Sequence, residues 1–301
     1  MIRAAIAPVV AIQRARDGVR RAAVRRRLES VASGKTADAS FNFDELGVDM
    51  AGVLEELTVG LQPDSIRIER LVATLKNSGT VDRLVERLET KGVHHRAASA
   101  RAIGALRMYE AVPSVAPLLA SRERPVADAA ARALGRIGGT RSATALLLAI
   151  QRRGLNRRLV AELARSAPDL FLEVAMSERQ KPGVRPALAL AAGLRRRRTA
   201  TSQLMILVQR GSRRERVISC RALGWIGAAI AIPVITEALL DRDWKLRMSA
   251  AKALGMLRAQ ESSYELRCLS ADRNPRVRKA AQNALRQIDA ISEQGGGAGG
   301  S

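Results

Sequence analysis

Aromatic side chains are scarce in this sequence: three Phe, two Trp and two Tyr, 2% of 301 residues. A chain so poor in rings fills its interior with Ala, Leu, Val and Ile, which suits thin helical layers. Cysteine occurs only at 220 and 268, and histidine only at 94 and 95. Two distant cysteines, and neighbouring histidines whose side chains diverge by about 100° on a helix, give no zinc-ligand spacing. Cys220 is expected to be a buried free thiol in a reducing compartment, without a disulfide. Long hydrophobic runs are missing as well. The nine apolar residues from Ala4 to Ile12 fall far short of the roughly 20 needed to span a bilayer. Alternating β-rich runs are not found, so no sheet is expected. Asp and Glu stand mostly at helix starts and in i, i+4 pairs with Arg, a stabilising role. No nucleophilic triad, paired-carboxylate set or metal set can be assembled. The expectation is a non-enzyme with no catalytic residue, metal, cofactor or small-molecule substrate.

Basic charge is abundant. The formal net charge is +22, distributed as +6 over residues 1–40, −5 over 41–90 and +21 over the remainder. Charge of this size implies a polyanionic neighbour: a nucleic acid, an anionic membrane surface or an acidic protein.

A 31-residue period organises the chain. Arg221-Ala222-Leu223-Gly224 matches Lys252-Ala253-Leu254-Gly255; Gly193 stands 31 residues before Gly224, and Gly104 and Gly135 have the same separation. The 58 residues between Gly135 and Gly193 make two irregular units. Five, two and one before Gly104, Gly135, Gly224 and Gly255, and two after them, come small, small, large and large residues, such as Ser219, Ala222, Leu223 and Ile226; in the unit of Gly193, Arg195 takes the last of these places. Those offsets share one face of an α-helix and form its buried stripe. A second apolar helix follows, with Pro113 and Pro233 in its first turn, where no N–H bond is lost. Repeats of about 20 to 50 residues with helical internal spacing are stacked helix pairs. The fold expected is all-α: a right-handed α-solenoid of helical hairpins with helical caps.

The glycine-centred pattern, with Ala231 to Leu240 followed by Asp241-Arg242-Asp243-Trp244-Lys245-Leu246-Arg247, resembles HEAT repeats, in particular the short bacterial form called phycobilisome-lyase-like. The resemblance covers about residues 94 to 290 and speaks to fold more than function. More loosely, Ile68-Glu69-Arg70-Leu71-Val72 through Val81-Asp82-Arg83-Leu84 into His95-Arg96-Ala97-Ala98-Ser99-Ala100-Arg101 is similar to bacterial membrane-anchored HEAT proteins. Some of those accompany membrane glycosyltransferases. In them a spanning helix and a basic run precede the solenoid; this chain has the basic run alone.

Four regions are expected: a basic segment over 1–40, helical or flexible; an acidic helical cap over 41–92; the solenoid over 93–291; and, over 292–301, a Gly-rich stretch with the composition of an engineered linker. The cap carries three apolar stripes, led by Leu54, Ile68 and Val81. A helix from Asn283 to Ile291 closes the other end. Gly34-Lys35-Thr36 ends like a phosphate-binding loop, but Glu29 occupies the place of its first glycine and no strand precedes it.

Two sets of arginines are candidate contacts. Arg14, Arg16, Arg20, Arg21, Arg25, Arg26 and Arg27 would face an anionic membrane, act as an organelle transit signal, or form a solvated helix packed on nothing. Arg152, Arg153, Arg157, Arg158, Arg195, Arg196, Arg197 and Arg198 break the repeat and would meet an anionic partner. By contrast Arg96, Arg185, Arg216, Arg247 and Arg278 recur at one repeat position, which reads as a structural ladder bonded to loop carboxylates such as Asp241, Asp243 and Asp272. One class with a HEAT-like fold, the alkylpurine DNA glycosylases, cups DNA in a basic concave face. The second helices here are nearly uncharged, and Trp225 and Trp244 fall on the repeat as core residues. The reading favoured is a protein-interaction scaffold or regulatory subunit at the cytoplasmic face of a membrane, with another protein, such as a membrane enzyme, as partner. The alternative is a nucleic-acid-binding solenoid.

Overall fold

A computed structural model describes residues 18–36, 50–89, 92–178, 180 and 183–295, with side chains as far as 290. Among the described residues the regular structure is helical throughout, with no strand. The chain forms two compact units, residues 1–146 and 147–301.

The first unit begins with α1 (18–32), α2 (Met50–Thr58), α3 (Ile66–Asn77) and α4 (Thr80–Glu86). The first stacked pair is α5 (Val93–Ala105) with the short α6 (Val112–Val115), followed by α7 (Arg124–Ile137). Helix α8 (Gly139–Arg153) carries the chain across the division between units.

In the second unit α9 (Arg157–Ser166), α11 (Val184–Leu194), α13 (Arg213–Ile226) and α15 (Trp244–Leu257) are first helices. Their second helices are α10 (Phe171–Ser177), α12 (Thr201–Arg210), α14 (Ile232–Glu237) and α16 (Ser263–Leu269). The 58-residue interval holds two hairpins, as its length requires. The last helix differs from expectation. The repeat position at Arg278 and the closing helix placed at Asn283 to Ile291 belong to one continuous element, α17 (Pro275–Gly295).

Local chemistry sets the helix ends. Glu215 reaches back to the Ser212 N–H at 2.7 Å, and Asp243 accepts from the Lys245 N–H at 3.0 Å, satisfying N–H groups that a helix start leaves open. Pro113 and Pro233 sit in the first turn of α6 and α14. At the other end, the residue three after each repeat glycine has a positive φ: Arg107 (52°), Gly138 (73°), Arg196 (50°), Gly227 (77°) and Arg258 (57°). Gly34, at φ 78°, likewise follows the end of α1, so Gly34-Lys35-Thr36 closes a helix rather than opening one.

The repeat glycines allow first helices to touch through their backbones. A Cβ on Gly104 would lie 2.5 Å from the Ala133 Cα; on Gly193, 2.9 Å from that of Ala222; and on Gly255, 2.8 Å from that of Ala284. Each of these alanines stands two before the next repeat glycine or its equivalent, so the small stripe read in the sequence is this seam. Ser99, Ala102, Ile103 and Leu106 are buried, as are Ser219, Ala222, Leu223 and Ile226; Ile137 and Leu257 remain half-buried.

Candidate functional site: arginine clips and two grooves

The recurrent arginines clamp the turns between hairpins. Arg247 holds both oxygens of Asp272, at 2.7 and 2.9 Å, and donates to the carbonyls of Asp241 (2.8 Å) and Arg242 (3.1 Å). Arg216 pairs with Asp241 at 2.7 Å and donates to the Val208 carbonyl at 2.8 Å. Arg278 caps the carbonyls of Asp272 and Arg273, Arg96 meets Glu123 at 3.2 Å, and Arg185 donates to the Glu178 carbonyl. The Arg247 hydrogen bond, working against burial, holds the Asp272 carboxyl below the usual range; Arg213 does the same for Asp243. A guanidinium fork that ties one carboxylate to two carbonyls is building material, so this ladder offers a partner little.

The arginines outside the ladder divide. Arg152 and Arg153 end α8, Arg157 and Arg158 begin α9, and all four are exposed around a turn opened by Gly154 at φ 81°. Cations suit the end of α8 but oppose the positive dipole at the start of α9, so helix stability does not explain Arg157 and Arg158. The run from Arg195 to Arg198 does not act as one patch. Arg197 turns in to Asp169 and the Ala167 carbonyl. Arg195, Arg196 and Arg198 are exposed, and Arg196 and Arg198 line two different grooves.

Arg14 and Arg16 lie outside the described residues. Within α1, Val24, Leu28, Val31 and Ala32 are buried, and Arg21 and Arg25 reach Glu56 of α2. The helix is therefore docked, which overturns the reading of a helix packed on nothing. Its apolar stripe is spent on protein, and Arg20, Arg26 and Arg27 face outward.

One cluster was not legible in the sequence. Glu55 on α2 accepts from both Arg101 and Arg136, the latter at 2.5 Å, with its side chain 16% exposed. Burial raises its pKa, but the Arg101 hydrogen bond and the charges of Arg136 and Arg101 outweigh this and hold the carboxyl down. Arg107 donates to the Leu61 carbonyl at 2.6 Å. Burial, then the charge of Arg136, lowers its pKa; Asp64 opposes them.

Two open grooves mark the second unit. One, of about 760 Å³, runs between α12 and the turn before α14, lined by Met205, Ile206, Ile230 and Arg198. Ile206 is 48% and Ile230 75% exposed on helices that carry almost no charge. The other, about 540 Å³, crosses α13, α15 and α17 and is lined by Arg196, Trp225, Met256, Arg258 and Gln287. Trp225 and Trp244 are only half-buried, correcting their assignment to the core. Arg221 stacks over Trp225 at 5.5 Å, and Lys245 and Arg276 over Trp244. Both rings occupy outward positions on first helices, where a flanking cation covers the face that water would otherwise meet.

Among the described residues no group of three His, Cys, Asp or Glu is placed to hold a metal ion. His94 and His95 are exposed at the start of α5, and Cys220 is buried. A family model for HEAT repeats matches residues 81–166 and 201–286, more than half of the chain.

The chain is a HEAT-repeat protein.

HEAT repeats are typical of protein-interaction scaffolds, which gives this chain that role in broad terms. A comparison with curated proteins finds no match. Among solved structures, human deoxyhypusine hydroxylase in complex with glycerol is 18% identical, over 80% of this chain and 96% of that one, with a TM-score of 0.37. An engineered protein is 20% identical, over 70% and 96%, with a TM-score of 0.32. A designed armadillo repeat protein is 15% identical, over 69% and 99%, at 0.31. No helix among the described residues is long and apolar enough to cross a membrane.

Proposed function

We propose that this HEAT protein is a non-enzymatic scaffold that binds a protein on the uncharged face of its second helices, beside an anionic membrane surface. The observation that carries the reading is the α12–α14 groove: exposed Ile206 and Ile230 suit apolar protein contact, and among the described residues Arg198 is the one cation on its lining to meet a phosphate backbone. The outward arginines of α1, Arg20, Arg26 and Arg27, support the membrane half, each contributing about 1 kcal/mol near anionic lipid. A membrane enzyme, such as the glycosyltransferases that accompany some of the membrane-anchored HEAT proteins that part of the sequence resembles, is the partner class proposed. The test replaces Ile206 and Ile230 in turn with a photo-crosslinking residue in the full chain, in its source cells. Crosslinks to one protein support the reading, and crosslinks confined to nucleic acid contradict it.

A second reading rests on a different place. Arg152, Arg153, Arg157 and Arg158, exposed around Gly154, would serve phosphates. Its mark is affinity for an oligonucleotide that falls with salt at a slope of about −0.9 per phosphate neutralised.

A further inference from the structure

In the first unit the face formed by first helices already holds a helix. Helix α2 packs on α5, with Met50, Ala51, Val53 and Leu54 buried and Glu55 between Arg101 and Arg136. In repeat register Arg101 stands three before Gly104, Arg136 one after Gly135, and Arg107 three after Gly104. This face therefore reads a short helix by three marks: a carboxylate held by two cations, a carbonyl past the helix end held by Arg107, and small apolar side chains between.

The same register positions recur in the second unit, and two of them, at Arg258 and Gln287, line an open groove. Lys252, three before Gly255, matches Arg101; Arg258, three after it, matches Arg107; Gln287, 31 residues after Met256, takes the place of Arg136. Trp225 and Met256, each one after its glycine, give the apolar surface, and Met256 is 46% exposed. Arg196 repeats the Arg258 position two units earlier. Among the described residues Arg196, Lys252 and Arg258 make no ion pair. Arg196 and Arg258 also hold the positive-φ conformation that Gly227 adopts without strain, at a cost of about 1 kcal/mol each. The fold does not need arginine there, because the repeat of Gly224 makes the same turn with Gly227. In the first unit Arg107 uses that conformation to reach the Leu61 carbonyl, three residues past the end of α2.

We propose that the groove over α13, α15 and α17 docks a short acidic amphipathic helix of a partner protein, as the first-helix face of the first unit holds α2. The partner's carboxylate meets Lys252 and Gln287, its apolar side chains lie on Trp225 and Met256, and its negative C-terminal end meets Arg258. A nine-residue helix like α2 is marginal alone, so the partner segment folds as it docks. This deepens the scaffold reading by adding a second docking face. Its test uses a defined peptide, so failure here leaves the Ile206 and Ile230 crosslinking outcome standing.

The probe is a fluorescent, end-capped peptide of this chain's own residues 50–61, added to the full chain and followed by anisotropy and tryptophan emission. Saturable binding is expected, weakened at least tenfold by the double variant K252E/R258E and by Gln in place of the peptide's Glu55. Both side chains changed in the protein are exposed, and a melting curve checks that the variant folds. Four outcomes would overturn the proposal. Binding is absent at about 1 mM peptide; it is indifferent to K252E/R258E; it is matched by a scrambled peptide of equal charge; or it is lost instead in Arg101→Glu, which means exchange with α2. Sedimentation of the full chain checks a fifth: self-association abolished by K252E/R258E makes the occupant a second copy and also overturns it.

Discussion

A Cβ placed on Gly224 would stand 2.9 Å from the Cα of Ala253, closer than side chains approach backbone in folded proteins. The two residues lie on successive first helices, and their contact is repeated along the chain by glycine and the alanine 29 residues later. The period is thus a packing distance written in sequence.

Gly224→Ala should therefore lower stability by about 1 to 3 kcal/mol through overpacking, although alanine is the better helix former. The exposed Lys252→Ala serves as control and should stay within about 0.5 kcal/mol. Urea titration of both variants checks this; equal midpoints would remove the seam as the reason for the glycine.

The architecture was legible because helical stripes and a fixed period are local signals. The Ala222 and Leu223 stripe, the proline at 233 and the arginine at 247 all stand where the structure uses them. What escaped was long-range. Glu55 finds Arg101 and Arg136 46 and 81 residues away, outside any period. Nothing in the acidic stripe marks Glu55 from Glu56, and the apolar stripe of α1 does not announce its docking. Trp225 was misplaced because it falls on the repeat, whereas at one residue after Gly224 it lies between Leu223 and Ile226 and off their buried stripe. The Arg195 to Arg198 run reads as one charge block, yet the left-handed turn at Arg196 and the bond from Arg197 to Asp169 scatter its side chains.

Leu28 is fully buried on α1. Leu28→Ala should cost about 2 to 5 kcal/mol, while Arg26→Ala on the same helix should be nearly neutral. Thermal unfolding of both separates a docked helix from a loose one.

Acid should loosen the molecule at the carboxylates held low. Glu55, Asp243 and Asp272 all have folded pKa values below their unfolded ones, so their stabilisation is complete above about pH 4 to 5 and is lost as pH falls through the folded values. Melting temperature should fall steadily below about pH 4, and Glu55→Gln should make that fall shallower by removing one such carboxylate.

The two thiols should differ sharply. Cys268 is exposed, whereas burial pushes the Cys220 thiol up to about 12, against the opposing charge of Arg216. A thiol reagent at neutral pH should label one cysteine in the folded chain and the second only in denaturant. Prompt labelling of both would mean that the α13 interior opens readily.

The most direct measurement is purification of the full chain from its source cells in mild detergent, with and without nuclease, beside the variant I206D/I230D. Expected is a protein partner that survives nuclease and is lost with the two aspartates. Recovery of nucleic acid, with every protein lost on nuclease treatment and the variant behaving as the parent, would contradict a scaffold that works through its second-helix face.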